Sequence, residues 1–381
     1  MIIKNAQVFQ KDQQFQKADI LIEQERIISV AEHIDTENYS GEIIDGTDSY
    51  VIPGLIDIHF HGCMGYDFCD GTKEAIEQII AYQNSKGITS ICPATMTLPI
   101  EDITQICMNG AEYNKQQSLP VSPLVGINME GPFISKEKKG AQNPAYIIEA
   151  QEPFLREIQE KTNNLIKLVA IAPEIPGALE VITNLHNQVS FSLAHTTANY
   201  EQAKAAFDAG ACHVTHLYNA MPPFHHRDAG VIGAAFDTAS CFVELITDGI
   251  HISPSVIRAS FQLFGSDRVV LISDSMMACG MEDGMYSLGG QAVKVRGNLA
   301  TLEDGTIAGS ATNLFDCLLH AISVGIPAEV AIKAATLNPA KAIHIDSDYG
   351  TIEEGKIANL LLLDKNYKRK KVILQGKALT E

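Results

Sequence analysis

Six side chains of the kind that ligate metals stand where strand-like runs of this sequence end. They are His59 and His61 in LIDIHFHG, Glu130 in VGINMEGPF, His195 in VSFSLAHT, His216 in HVTHLYNAMP and Asp274 in VVLISDS. Each follows an apolar or alternating run of strand length. Imidazole nitrogens and carboxylate oxygens gathered at one place are the ligands a divalent cation takes. Such a cation makes water a nucleophile at neutral pH. The six residues are spread from 59 to 274, so strands ending at a common mouth are needed to bring them together.

The surrounding pattern supplies such strands. From Gly54 to His344 the order is strand, loop, helix, repeated. The spacing predicts strands over 55–61, 88–94, 124–130, 166–173, 189–195, 213–218, 242–248 and 269–274. Helical stretches lie between most of them, such as 72–87, 199–210 and 253–265, with caps expected at Thr72, Asn199 and Ser253 and stops at Gly87, Gly210 and Gly265. Eight strands alternating with helices fit an α/β fold of the (β/α)₈ TIM-barrel type, which typically runs to about 250 residues. A doubly wound sheet is the alternative, but no GxGxxG loop follows the first strand. Residues 1–52 and 345–381 read instead as short strands, which predicts a small β-sandwich domain built from both ends around a barrel of residues 53–344. A stretch around 285–306 carries Gly-Gly, Arg-Gly-Asn and Glu-Asp-Gly turns and reads as hairpins, packed on the terminal domain or over the barrel mouth.

Within that frame each residue suggests a role. Alternate residues of a strand share a face, so His59 and His61 are expected to point together into the barrel. Glu130 has two oxygens and is suited to bridging two ions. His195 and His216 end successive strands and would lie side by side. His213, three residues earlier than His216, is expected to face away and to be structural. Asp274 ends the last strand, beside the first, where it would serve as general base and then general acid. The fourth strand ends in AIAPE without a lysine, which removes a carbamylated lysine as the bridge and leaves Glu130. No GxSxG elbow is present, which disfavours a serine nucleophile. Asn219 and Ala220, the loop with His225, His226 and Arg227, and Asp248 with His251 surround the predicted mouth. The guanidinium of Arg227 is suited to bidentate capture of phosphate.

Composition narrows the partners. The chain of 381 residues is 46% hydrophobic and 19% charged, enough for a large core and against disorder. A formal charge of −18 argues against nucleic acid and anionic membranes, though not against a small anionic substrate in a local positive pocket. No apolar run reaches the ~20 residues that span a bilayer. MIIKNAQVFQ alternates like a strand and lacks the apolar core of a secretory leader. The eight cysteines form no CxxC pair and are expected as buried free thiols in a reducing cytoplasm.

The segments VIPGLIDIHFHG, INMEGPFISKEKKGAQNP, SLAHT, VTHLYNAMPPFHHRDAGVIG, ITDGIHISP, LISDS, GTIAGSATNL and GTIEEGKIANLLLLD together resemble the amidohydrolase superfamily. Within it they resemble the N-acetylglucosamine-6-phosphate deacetylases. The likeness covers essentially the whole chain. GINMEGPF, HLYNAM followed by FHHR, and DGIH carry the finer resemblance; the HxH pair and the tail are shared more widely. The resemblance implies hydrolysis of the N-acetyl group of N-acetylglucosamine 6-phosphate in amino-sugar catabolism. It implies that Glu130, His195 and His216 bind a principal metal and that His59 and His61 bind a second, with Glu130 bridging. Zinc or iron is expected, one or two ions per subunit. Asp274 matches the catalytic aspartate. Ala141, Gln142, Asn219, Ala220, Arg227, His251, Ile307, Ala308 and Gly309 match substrate contacts, with Arg227 reaching across the interface of a homodimer. One position departs: the family usually has histidine where this chain has Gln142. A glutamine donates a hydrogen bond but carries no charge, so contact there with sugar or carbonyl is expected to be weaker or differently tuned.

Overall fold

A computed structural model describes residues 1–116 and 122–379. Eight short strands run in parallel: Leu55–Asp57, Ile88–Ile91, Ile127–Met129, Ile166–Ile171, Ser190–Leu193, His213–Val214, Phe242–Ile246 and Val269–Ile272. The third to eighth form one ladder, and the first pairs with the second. Bridges Ile91–Leu124 and Ala94–Asn128 join the second to the third. The eighth returns to the first through Asp274 N–H to His59 O (2.9 Å) and His61 N–H to Ser275 O (2.7 Å). The ring is therefore closed, and the expected barrel is present.

Each strand leads into a helix on the outside, beginning with Lys73–Lys86 and ending with Leu314–Ser323. Local chemistry sets several of their ends. Thr72 Oγ1 accepts the Ala75 N–H, and Asn199 forms a capping box with Gln202. Ser253 occupies the cap position before Pro254 without a side-chain hydrogen bond. Gly87 ends its helix with φ 87°, a left-handed conformation that costs a glycine little.

The strands are shorter than the sequence predicts. They stop one or two residues before the metal-grade side chains, because the chain leaves the ladder there. His195, His216 and Asp274 take φ of 44°, 30° and 48°, and a residue in that conformation cannot continue a strand. His59 and His61 likewise lie past the end of their strand at Asp57. The two histidines therefore enter the mouth from the segment after the strand and not by alternation along it.

Both ends of the chain build one eight-stranded sheet. Its order is Lys377–Ala378, Arg369–Leu374, Leu360–Leu363, Tyr50–Pro53, Ile2–Phe9, Phe15–Glu23 and Arg26–Ala31, with Ile43–Asp45 also paired to Ile2–Phe9. The antiparallel pairing of Leu360–Leu363 with Tyr50–Pro53 joins the termini. Side-chain alternation explains its apolar runs. Val8, Val51, Leu360 and Leu362 enter the sheet's own core, while Phe9, Ile52, Leu361 and Leu363 pack into the barrel core. A strand buried on both faces has no reason to alternate with polar residues.

The hairpin region spans 284–310 and forms a four-stranded antiparallel sheet turning at Gly289-Gly290, Gly297-Asn298 and Asp304-Gly305. Leu288, Val293, Val295, Ala300 and Ala308 pack with Met96 and Met276, which follow the second and eighth barrel strands. It therefore caps the barrel mouth. Its last strand, Ile307–Ser310, lies beyond the predicted limit at 306, because it pairs with Leu299–Thr301 and returns to the eighth strand's end through a Ser275–Ser310 bridge.

Candidate active site

The six metal-grade residues meet at the C-terminal mouth of the barrel, where enzymes of this architecture place their chemistry. Three of them are left-handed non-glycine residues, a conformation that costs of order 1–3 kcal/mol each and clusters at functional sites. Their side chains form two groups. Glu130 with His195 and His216 is one, and His59 with His61 and Asp274 is the other. All six are buried.

In the first group Glu130 Oε1 lies 3.0 Å from His195 Nε2 and 3.1 Å from His216 Nε2, and the two nitrogens are 3.1 Å apart. A ring nitrogen has one in-plane hydrogen or lone pair, so hydrogen bonds cannot satisfy all three edges at once. A single cation accepts all three donors. His195 Nδ1 lies 2.8 Å from Lys138 O, which fixes its proton there and turns the Nε2 lone pair inward. In the second group Asp274 Oδ1 is 3.6 Å from His59 Nε2 and 3.5 Å from His61 Nε2. His59 Nε2 has no hydrogen-bond partner although it is buried, and a buried polar atom left so is costly unless something binds it. Glu130 joins the groups, with Oε2 3.1 Å from His61 Nε2 and Oε1 3.6 Å from His59 Nε2. The donor set suits a divalent metal.

The charges agree. Burial opposes ionisation of Glu130, but His59 with His195 and His216 holds its carboxyl well below the usual range. Burial likewise opposes charge on Asp274, while His61 and His59 keep it below the ordinary carboxylate value. A cation in the same place acts in the same direction.

A second layer holds these groups, and its centre was missed in the sequence. Glu244 is wholly buried in the seventh strand. Its Oε2 lies 2.8 Å from His59 Nδ1 and accepts the His216 N–H at 3.0 Å, and its Oε1 lies 3.1 Å from His213 Nε2. One carboxylate thus orients a ligand of each group. Burial opposes its ionisation, but His59 and His213 depress its pKa strongly. The available signal was an acid inside the apolar run CFVELI, which demands a partner. His213, expected to be structural, holds Glu244 through its Nε2 rather than joining either ligand group. Asp248 does a similar job at the rim, where its Oδ2 lies 2.7 Å from His251 Nδ1. Burial disfavours charge on His251, yet Asp248 raises its pKa above the ordinary value.

An open cavity of about 350 Å³ lies over this cluster. Ala141, Gln142, Asn219, Ala220, His251, Ile307 and Gly309 line it, together with His61, Glu130, His195, His216 and Asp274. His59 lies beneath it. Ala308 does not line it, because strand alternation turns that side chain into the core of the capping sheet. Arg227 does not reach it either. It is exposed, and its Nη1 donates to His226 Nε2 at 2.8 Å. Lys138 lines the cavity and was not singled out in the sequence. Ala220 has φ 53°, and its N–H donates to no acceptor among the described residues. Gly309 has φ 66°, and a Cβ there would come within 3.0 Å of Asp274 O, so the position suits glycine.

Comparison with known proteins agrees with this geometry. The model of the amidohydrolase family matches residues 50–379, and the chain belongs to that family. It is similar to N-acetylglucosamine-6-phosphate deacetylase of Bacillus subtilis (strain 168), at 35% identity over 370 residues, 96% of this chain and 93% of that protein. It is also similar to N-acetylgalactosamine-6-phosphate deacetylase of Escherichia coli, at 32% identity over 326 residues, 85% of this chain and 86% of that protein. Among solved structures, a mutant N-acetyl-D-glucosamine-6-phosphate deacetylase from Mycobacterium smegmatis, in complex with N-acetyl-D-glucosamine-6-phosphate, matches with a TM-score of 0.93. Identity there is 28%, over 100% of this chain and 99% of that one.

Proposed function

We propose that this chain hydrolyses N-acetylglucosamine 6-phosphate to glucosamine 6-phosphate and acetate, using one or two ions of zinc or iron per subunit. The observation that carries the reading is the pair of donor groups sharing Glu130, with Asp274 at the edge of a cavity of substrate size. Glu130, His195 and His216 would hold one ion, and His59 and His61 the other, with Asp274 in reach of it. A bound ion supplies polarisation of the acetyl carbonyl and a lower pKa for water.

The protein's own groups do the rest. Asp274, ionised at neutral pH, takes the proton of the attacking water and passes it to the departing amine. His251, held by Asp248 and biased toward its charged form, presents a cation to the phosphate or to the developing oxyanion. The unpaired Ala220 N–H offers a backbone donor on the same rim. These contacts, with Ala141, Asn219, Ile307 and Gly309, orient the sugar so that its amide meets the base.

Arg227 belongs to the proposal as a residue given to a partner's cavity in a homodimer. Its exposure, in a loop that also exposes Phe224, supports that reading. Arg227→Ala is expected to raise KM for the phosphorylated sugar about 10- to 100-fold, the effect of losing a hydrogen bond to a charged group. KM for the unphosphorylated sugar should barely change, and equal effects on both would remove the phosphate role.

The division into a barrel of 53–344 and a terminal domain of 1–52 with 345–381 is part of the same reading, supported by the sheet's separate core. So is a cytoplasmic location, supported by eight free cysteines. Among the described residues no helix is long and apolar enough to cross a membrane.

The test is acetate release by the Zn²⁺- or Fe²⁺-loaded protein, with N-acetylglucosamine 6-phosphate and its N-acetylgalactosamine epimer compared. The similarity to an N-acetylgalactosamine-6-phosphate deacetylase motivates the second substrate. Ammonia in place of acetate would make the protein a deaminase, and a chain that takes up no metal would be a scaffold.

A further inference from the structure

Gln142 lines the cavity, but both ends of its amide already have partners. Its Oε1 accepts the Thr97 N–H at 2.7 Å. That bond settles which end of the amide is which, since a reversed amide would set NH₂ against N–H. Its Nε2 therefore faces inward and donates to Glu130 Oε2 at 2.9 Å, with Met96 Sδ at 3.7 Å on the other side. The loop behind is also tied down: Gln142 N–H donates to Lys139 O at 2.9 Å, and Ala141 O accepts the side-chain amide of Gln291 from the capping sheet.

The target of that inward N–H matters. Glu130 Oε1 serves His195 and His216, while Oε2 lies toward His61. The last torsion of a glutamate is broad and has no strong preference of its own. Its rotation decides which oxygen each ligand group receives, so a neighbour must fix it.

We infer that Gln142 is a positioning residue that sets the rotation of the Glu130 carboxylate, and through it the hold of the His59–His61–Asp274 group on its ion. The inference rests on the metal-dependent reading above. It differs from a contact with the substrate carbonyl, because the N–H groups of Gln142 already face Glu130 Oε2 and Met96 Sδ.

The experiment compares the wild-type protein with Gln142→Met, which keeps the length of the side chain and removes its donor. Gln142→Asn keeps both polar groups but withdraws them by one methylene, and it takes the place of the first variant if that one does not fold by circular dichroism. Each is loaded with Co²⁺ and dialysed against a rising series of chelator concentrations, reading ions per chain and the visible Co²⁺ spectrum. The more weakly held ion should leave the variant at about 10- to 100-fold lower free chelator, the usual loss for a residue that orients a ligand, with an altered spectrum. Unchanged metal retention and spectrum, with a fall in kcat/KM alone, would show that Gln142 acts on the substrate and would overturn the inference. A wild-type protein that holds no ion would instead defeat the functional reading itself.

Discussion

Asp274→Asn is expected to fold, to keep its metal and to lose turnover by about 10²–10⁴-fold, the contribution of one positioned acid–base group. The backbone at this residue is anchored independently of the side chain. Its N–H donates to His59 O at 2.9 Å, and its carbonyl accepts the Ser310 N–H at 2.7 Å. Asparagine has the same shape, and its carbonyl oxygen can still lie where Oδ1 does, 3.5 Å from His61 Nε2. It cannot take up a proton from water. Metal content and melting temperature should therefore stay near wild type while kcat falls. The order of measurement matters, because metal content taken first separates loss of a ligand from loss of a base. Near-normal kcat with full metal would show that the proton goes elsewhere, and the assignment of Asp274 would fail.

The mouth of the barrel was legible because each metal-grade residue follows an apolar run long enough to be a strand, and a polar residue there has few reasons to exist. The ends of the strands were not legible. Nothing in the types His195, His216 or Asp274 announces a left-handed backbone, which is imposed by the turn that aims them. The LLLL run at 360–363 is compatible with any buried strand; its division between two cores depends on the barrel packed against it. Arg227 is an exposed loop residue, so its place in a single chain does not display the phosphate role its motif suggests. Gln142 stood out through resemblance alone, and the resemblance pointed to the substrate. Its contact with Glu130 arises from a loop that returns across the mouth, which local pattern does not reveal.

Glu244 shows the same limit and carries the second large effect. Its contact with His59 spans 185 positions in sequence, so no local pattern links them. The carboxylate accepts from three buried groups, His59 Nδ1, His213 Nε2 and the His216 N–H. Glu244→Ala leaves all three without a partner. Breaking such a buried pair typically costs about 3–5 kcal/mol, so urea unfolding of the metal-free protein should show a loss of that order. Glu244→Gln is milder and more informative. The Gln carbonyl can occupy the Oε2 position, where two donors converge. Its NH₂ then faces His213 Nε2, which accepts if the ring carries its proton on Nδ1, a nitrogen that has no partner to lose. The fold survives, but His59 loses the negative charge that makes its Nε2 a strong ligand. Metal affinity should fall about 10- to 100-fold, read by competition with a chromophoric chelator, with little change in melting temperature. If Glu244→Gln holds metal as tightly as the wild-type protein, orientation by neutral hydrogen bonds is enough. The buried charge would then have no part in binding, and its depressed pKa would reflect only the company it keeps.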